Sequence, residues 1–266
     1  MKLTREFDMT NDSHLFRTAP APGRLPLYEG KMIHQFTHEW GKPKYWLDEA
    51  EARKALLGRV KDVAQKLDYQ GYRLGFRDIA ASTNERTMIM TVMPPNVFCP
   101  HTMSLEKVNT TMTQAERLAA CSLFNSFLFD HWMRQRITSH LSFFYVYSAT
   151  MPRLTTGDPY FAPLVEHAAR LICTTPEFDD LAKEVGIDSH KNGATDSVER
   201  ARLRAEIDGM VAHLYGLTEA DFTHILGTFP IVQDEVKAAA LAAFRALTPA
   251  PRADASSEVV LGGMRR

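Results

Sequence analysis

The apolar residues of this 266-residue chain change their spacing part-way along, and that change limits the folds open to it. Before Pro152 they gather in short runs. Tyr72-Arg73-Leu74-Gly75-Phe76-Arg77 alternates with the two-residue period of a strand, and Thr87-Met88-Ile89-Met90-Thr91-Val92-Met93 reads as another, ended by Pro94-Pro95. After Pro152 they recur three and four apart, as Leu164, Val165, Ala168, Leu171 and Ile172, then Leu203, Ile207, Met210, Val211 and Leu214, which is the face of a helix. Strands collected in one part and helices in the other define an α+β chain. The outline is a mixed domain of short strands and packed helices over 1–153, a helical appendage over 154–247, and a disordered tail over 248–266 that contains Pro249, Pro251, Gly262 and Gly263.

Local signals refine this outline. Pro20, Pro22, Gly23, Pro26 and Gly30 punctuate an irregular opening segment with short strands. Asp48 with Glu51 reads as a capping box, and Leu56, Val60, Val63, Ala64 and Leu67 extend the expected helix to roughly five turns. Ser82 to Arg86 is a polar loop, and a second polar loop leads to the capping box Thr113/Glu116, which opens a buried helix from Ala115 to Met133. Leu141-Ser142-Phe143-Phe144-Tyr145-Val146-Tyr147 is expected as an aromatic closing strand. Gly216 ends a long helix, and Thr218 with Asp221 begins a short one.

Composition excludes several classes. No run of about 18 apolar residues exists and the first residues carry no export signal, so a cytoplasmic protein without membrane contact is expected. Cys99, Cys121 and Cys173 are odd in number and widely spaced, which suits reduced thiols. The net charge of -1 hides an asymmetry, because residues 1–160 hold 20 Lys+Arg against 16 Asp+Glu.

Catalytic signatures are missing from the sequence. There is no Gly-x-Ser-x-Gly elbow, no Gly-Lys-Ser/Thr phosphate loop and no His-Glu-x-x-His helix, since His38-Glu39 lacks a second histidine. Cys99, His101 and Cys121 lack the tight local pairs of a closed zinc site. No catalytic residue, metal ligand or resident cofactor is expected in this chain. What stands out is a set of polar and basic residues in or beside loops: Lys31, His34 and Gln35; Arg73, Arg77 and Asp78; Asn84 and Arg86; and Arg134, Gln135, Arg136, Ser139 and His140. Arginine bonds guanine edges, asparagine and glutamine bond adenine, and lysine neutralises phosphate. The same residues also make ordinary surface ion pairs, such as Arg77 with Asp78 or Arg86 with Glu85.

Several segments resemble the C-terminal region of type IIG-like restriction-modification adenine DNA methyltransferases, the group that includes the methylases of BREX and DISARM phage defence. Leu25-Pro26-Leu27-Tyr28-Glu29-Gly30-Lys31-Met32-Ile33-His34-Gln35-Phe36 is similar to the segment that opens their target-recognition domain. Phe76-Arg77-Asp78-Ile79-Ala80 with Asn84 to Ile89, then Phe124 to Arg136, resemble the strand-loop-strand and helix that follow. His213-Leu214-Tyr215-Gly216-Leu217-Thr218 and Thr228-Phe229-Pro230-Ile231-Val232 resemble the helical ending. Where the family often has glycine the chain has Ser139, and Ala149-Thr150-Met151-Pro152 replaces a Leu-Pro turn.

The resemblance implies a module that selects a site on double-stranded DNA for a methyltransferase core. That core, with its glycine-rich cofactor turn and Asn-Pro-Pro-Tyr loop, is expected in a preceding segment or a separate polypeptide, and it would hold S-adenosylmethionine. Lys31, His34, Gln35, Arg73, Arg77, Asn84, Arg86, Arg134, Gln135, Arg136, Ser139 and His140 are then the expected DNA contacts. The alternative is a protein-interaction module that docks on a methylase or another defence component without binding DNA. An independent enzyme has no supporting constellation.

Overall fold

Strand β4 (Arg73–Arg77) lies inside a four-stranded antiparallel sheet of order β1 (Leu3–Thr4), β6 (Met103–Glu106), β4, β5 (Met90–Met93). The computed structural model describes residues 1–108 and 112–247, so the tail expected to be disordered lies outside the described residues. Alternation along β4 divides two cores: Leu74 and Phe76 join Met90, Val92 and the helices, while Met93, Met103 and Leu105 crowd Gly75 from the other face. A methyl group at Gly75 would meet Met93 Cγ at 3.0 Å and Met103 Sδ at 3.1 Å, so any larger residue there must push these side chains aside. A separate hairpin pairs β2 (Arg24–Leu27) with β3 (Tyr45–Asp48).

Helices fill the rest, and the described residues confirm the α+β class. Helix α1 (Glu49–Leu57) is followed by α2 (Gln114–Phe124), α3 (Phe127–Arg134), α4 (Phe143–Ser148), α5 (Phe161–Ile172), α6 (Asp179–Glu184), α7 (Ser197–Leu214), α8 (Glu219–Gly227) and α9 (Asp234–Ala246). One hydrophobic cluster takes in Leu74 of β4, Leu118 of α2, Leu164 of α5 and Leu203 of α7. Phe127 of α3 instead joins Phe222, Phe229 and Phe244 in a second cluster with α8 and α9. No described helix is long and apolar enough to cross a membrane.

Four local expectations are corrected. The helix from Asp48 stops at Gly58 (φ 58°), and Arg53 draws the following chain back through Asp62, at 2.6 and 2.8 Å, and the Gln65 carbonyl. Asp48 and Glu51 form no capping box there, because their carboxylates pair with Arg17, and Asp48 also with Arg24. Residues 141–147 are not a strand: α4 buries Val146 and leaves Phe144 and Tyr147 exposed, which is a helical pattern. The loop expected before Thr113 contains β6, whose Glu106 is buried against Arg117 at 2.8 Å.

The fourth correction is the break between α2 and α3. The box Thr113/Glu116 starts α2 as expected, but the helix halts at Asn125, and Ser126 caps α3 by accepting from the Phe129 N–H at 3.2 Å. Asn125 Nδ2 donates to the Met90 carbonyl at 2.9 Å, and Asn125 Oδ1 accepts the Met90 N–H at 3.0 Å. One turn on, the fully buried Asp130 accepts the Thr87 and Met88 N–H groups at 3.0 and 3.2 Å and Arg86 Nε at 2.8 Å. Removing a buried carboxylate that satisfies this many donors costs about 3–5 kcal/mol. Asp130→Ala is therefore expected to lower the denaturant midpoint steeply, and an unchanged midpoint would contradict this role for Asp130.

Candidate nucleic-acid interface

The C-terminal end of β4 gathers three segments that are far apart in sequence. Arg77 Nε donates to the Ile33 carbonyl at 3.0 Å, and Nη2 reaches the same oxygen. The 3-10 turn Gly30–Met32 is seated on Thr102, with the Gly30 N–H 3.2 Å from Thr102 Oγ1. A Cβ on Gly30 would fall 2.4 Å from the Thr102 carbonyl, so glycine permits this seat and thereby sets the position of Lys31.

On the other side, Asp78 joins the loop after β4 to the loop after α3. Its carboxylate accepts from Arg5 at 2.5 Å and pairs with His140 Nδ1 at 3.3 Å, and its carbonyl accepts the Leu141 N–H at 2.7 Å. The Ala80 N–H donates to the Ser139 carbonyl at 3.2 Å, closing a small antiparallel bridge. Arg134 links the same loops further out, donating to the Asn84 carbonyl and, at 2.6 Å, to that of Glu85, with its guanidinium 4.3 Å over the Phe229 ring.

The expected contact residues separate into two kinds. Lys31, Asn84, Gln135, Arg136, Ser139 and His140 are exposed on these loops, and Arg136 lies 4.0 Å over the Trp132 ring, which holds its stem and leaves the guanidinium at the surface. Arg77, Arg134 and His34 are half-buried and hold loops in place. Burial removes the other three from any base. Arg73, at 0% exposure, pairs with Glu6 and donates to the Val97 carbonyl. Gln35 donates to the carbonyls of Met88 and Asn125, both at 3.0 Å. Arg86 stacks 4.0 Å over Phe127 and pairs with Asp130. Each is an interior polar group held by the fold, although Arg73 Nε has no hydrogen-bond partner among the described residues.

Beside this surface, a cavity of about 200 Å³ opens between α7, α9 and the α2–α3 break, lined in part by His34, Arg86, Phe127, Arg204 and Asp208. Burial lowers His34 to about 4, and Arg77, Arg204, Arg86 and Arg200 add to the shift, so its imidazole is neutral near pH 7 within a cationic surround. His34 also stacks on the exposed Trp40, ring centres 4.6 Å apart. Arg200 is held by the carbonyls of Leu171 and Ala194 and by Thr37 Oγ1 at 2.7–2.8 Å. The guanidinium of Arg204 has no hydrogen bond or ion pair among the described residues. Neither arginine was expected at the site. Their signal is the series Arg200, Arg202, Arg204, hidden inside the acidic half of the chain.

The cysteines take no part. All three are free and buried, and burial raises their thiols, so they remain protonated.

No protein-family model matches the chain, and no curated protein matches it. Among solved structures it is similar to the type IIL restriction-modification enzyme MmeI in complex with DNA, with a TM-score of 0.50 and 13% identity, over 89% of this chain and 35% of that one. The likeness is one of fold, and the chain spans only that 35% of the enzyme's length.

Asp208 offers a handle on the cleft. It accepts the Phe127 N–H at 2.7 Å, yet burial pushes its carboxyl from 3.8 up to about 6 despite Arg86 and Arg204 nearby. Below pH 3.8 both folded and unfolded chains hold the proton and nothing is lost. Between pH 3.8 and about 6 the unfolded chain gives up the proton while the folded chain keeps it, so stability falls by about 3 kcal/mol in total, and no more is lost once the folded carboxyl ionises as well. Asp208→Asn keeps an acceptor for Phe127 without the charge. The variant should gain stability relative to the native chain between pH 4 and 7 in urea titrations, and parallel profiles would refute the raised carboxyl.

Proposed function

We propose that this chain selects sites on double-stranded DNA for a restriction-modification methyltransferase. The observation that carries the reading is the convergence of the Lys31 turn, the 78–86 loop and the 135–141 loop on the end of β4, where Asp78, Arg77 and Arg134 brace them. The fold likeness to a restriction-modification enzyme in complex with DNA supports it from a second direction. Lys31 and Arg136 neutralise phosphates and fix register, while Asn84, Gln135, Ser139 and His140 reach base edges.

The finer reading follows the family resemblance. The partner is an adenine-specific methyltransferase core of the type IIG-like group, in cis or in trans, which binds S-adenosylmethionine, takes the adenine out of the duplex and methylates its amine. A DNA partner of this kind puts the protein in the cytoplasm, in a phage-defence or restriction-modification system. The competing reading, docking on a methylase without DNA contact, draws on the exposed Ile79 and Phe144 beside the same loops.

A random duplex pool retained on the protein at low and moderate salt, then sequenced, separates these readings. Recognition predicts enrichment of one short motif that survives added salt. Arg136→Ala is expected to weaken retention several-fold and to reduce the slope of log K against log salt by about 0.9 for each phosphate no longer neutralised, with an unchanged melting temperature. Folded protein that retains no duplex at either salt would overturn DNA reading by this chain alone.

A further inference from the structure

His38-Glu39 has no part in the surface above, yet its side chains meet Glu177 from the helical half of the chain. We propose that His38 Nε2, Glu39 Oε1 and Glu177 Oε1 bind a divalent transition-metal ion of the zinc type. These three donor atoms all lie within 4.8 Å of one another, with His38 Nε2 3.0 Å from Glu177 Oε1 and 3.8 Å from Glu39 Oε1. Zinc bonds of about 2.0–2.2 Å in tetrahedral geometry put neighbouring donors about 3.3–3.6 Å apart. The two measured separations bracket that edge, and a small rotation of the exposed Glu39 side chain brings its oxygen into range.

Charge gives an independent reason. The only ion-pair partner of Glu39 or Glu177 among the described residues is His38, and no lysine or arginine reaches either carboxylate. Two carboxylates with no lysine or arginine beside them carry the charge that one dication balances. The imidazole is fixed as a ligand requires: His38 is 3% exposed, packed against the edge of Phe178 at 4.9 Å and beside the Tyr28 ring at 6.3 Å. The Tyr28 hydroxyl donates to Glu39 Oε1 at 3.4 Å, and the Tyr72 hydroxyl donates to the Glu177 carbonyl at 2.7 Å, an outer layer that orients both glutamates.

A donor set of one imidazole and two carboxylates suits zinc rather than a soft ion, and three protein donors leave a fourth position to solvent. The ion clips the segment after the His34–Thr37 turn to the 3-10 turn Pro176–Phe178, which lies between α5 and α6. Its effect is on the joining of the two parts of the chain.

The test uses the full chain, stripped with chelator and titrated with zinc chloride by calorimetry, with melting curves taken with and without zinc. One equivalent should bind at micromolar affinity or tighter and raise the melting temperature. Glu39→Gln and Glu177→Gln should each weaken binding at least about ten-fold while leaving the melting temperature in chelator unchanged. Cobalt should bind the native chain with the visible absorption of a four-coordinate ion and lose it in both variants. Failure to bind one equivalent of zinc, or binding that neither variant weakens, overturns the proposal; neither result bears on DNA recognition.

Discussion

The buried carboxylate of Asp130 ties the segment before β5 to helix α3. It closes the orphan N–H groups of Thr87 and Met88 just before β5 and neutralises Arg86, whose other end reaches the Asn125 carbonyl. With Asn125 on Met90, these bonds join the sheet to the α2–α3 break. From the same break, Phe127 enters the core of α8 and α9 and its N–H reaches Asp208 on α7. An unsatisfied charge here would be severely destabilising, so the arrangement is all-or-none, and it fixes where α3 ends and the 135–141 loop begins.

The arginines of this region therefore do different work according to depth. Arg73 and Arg86 are interior ions matched to carboxylates, Arg77 and Arg134 tie loops by donating to backbone carbonyls, with Arg134 also 3.6 Å from Asp130, and Arg136 lies on the Trp132 ring with no carboxylate partner among the described residues. Binding of a polyanion needs cations that are not already matched. That requirement moves the candidate contacts outward, to Arg136 and the exposed polar residues of the two loops, while Lys31 must first leave its ion pair with Glu29 at 2.8 Å. It also brings in Arg204, which lines the cleft with His34 and Asp208 and makes no hydrogen bond or ion pair among the described residues, although Asp208 and Glu85 lie near enough to attract it.

Much of the fold was legible where the signal is local. The box Thr113/Glu116 forms as read, Thr218 with Asp221 begins α8 as read, Gly216 (φ 66°) ends α7, and the alternation at residues 72–77 marks β4. Misreadings came where distant partners decide. Val60 and Val63 fit a helical pattern but are exposed, because the bond from Arg53 to Asp62 turns the chain away after Gly58. The aromatic run at 141–147 is too short for its period to be told, and β6 is recognisable only beside β4. For the site, residue type was readable and depth was not: Gln35, Arg73 and Arg86 have the chemistry of base readers, and only packing shows that they are buried.

Hydrogen exchange of the full chain, measured with and without a duplex that it retains, reports directly on whether DNA meets the end of β4. New protection is expected over the 78–86 and 135–141 loops and around Lys31, with the α8 and α9 amides unchanged. Protection confined to α8 and α9, or none at the β4 end while DNA is bound, would contradict recognition by this surface.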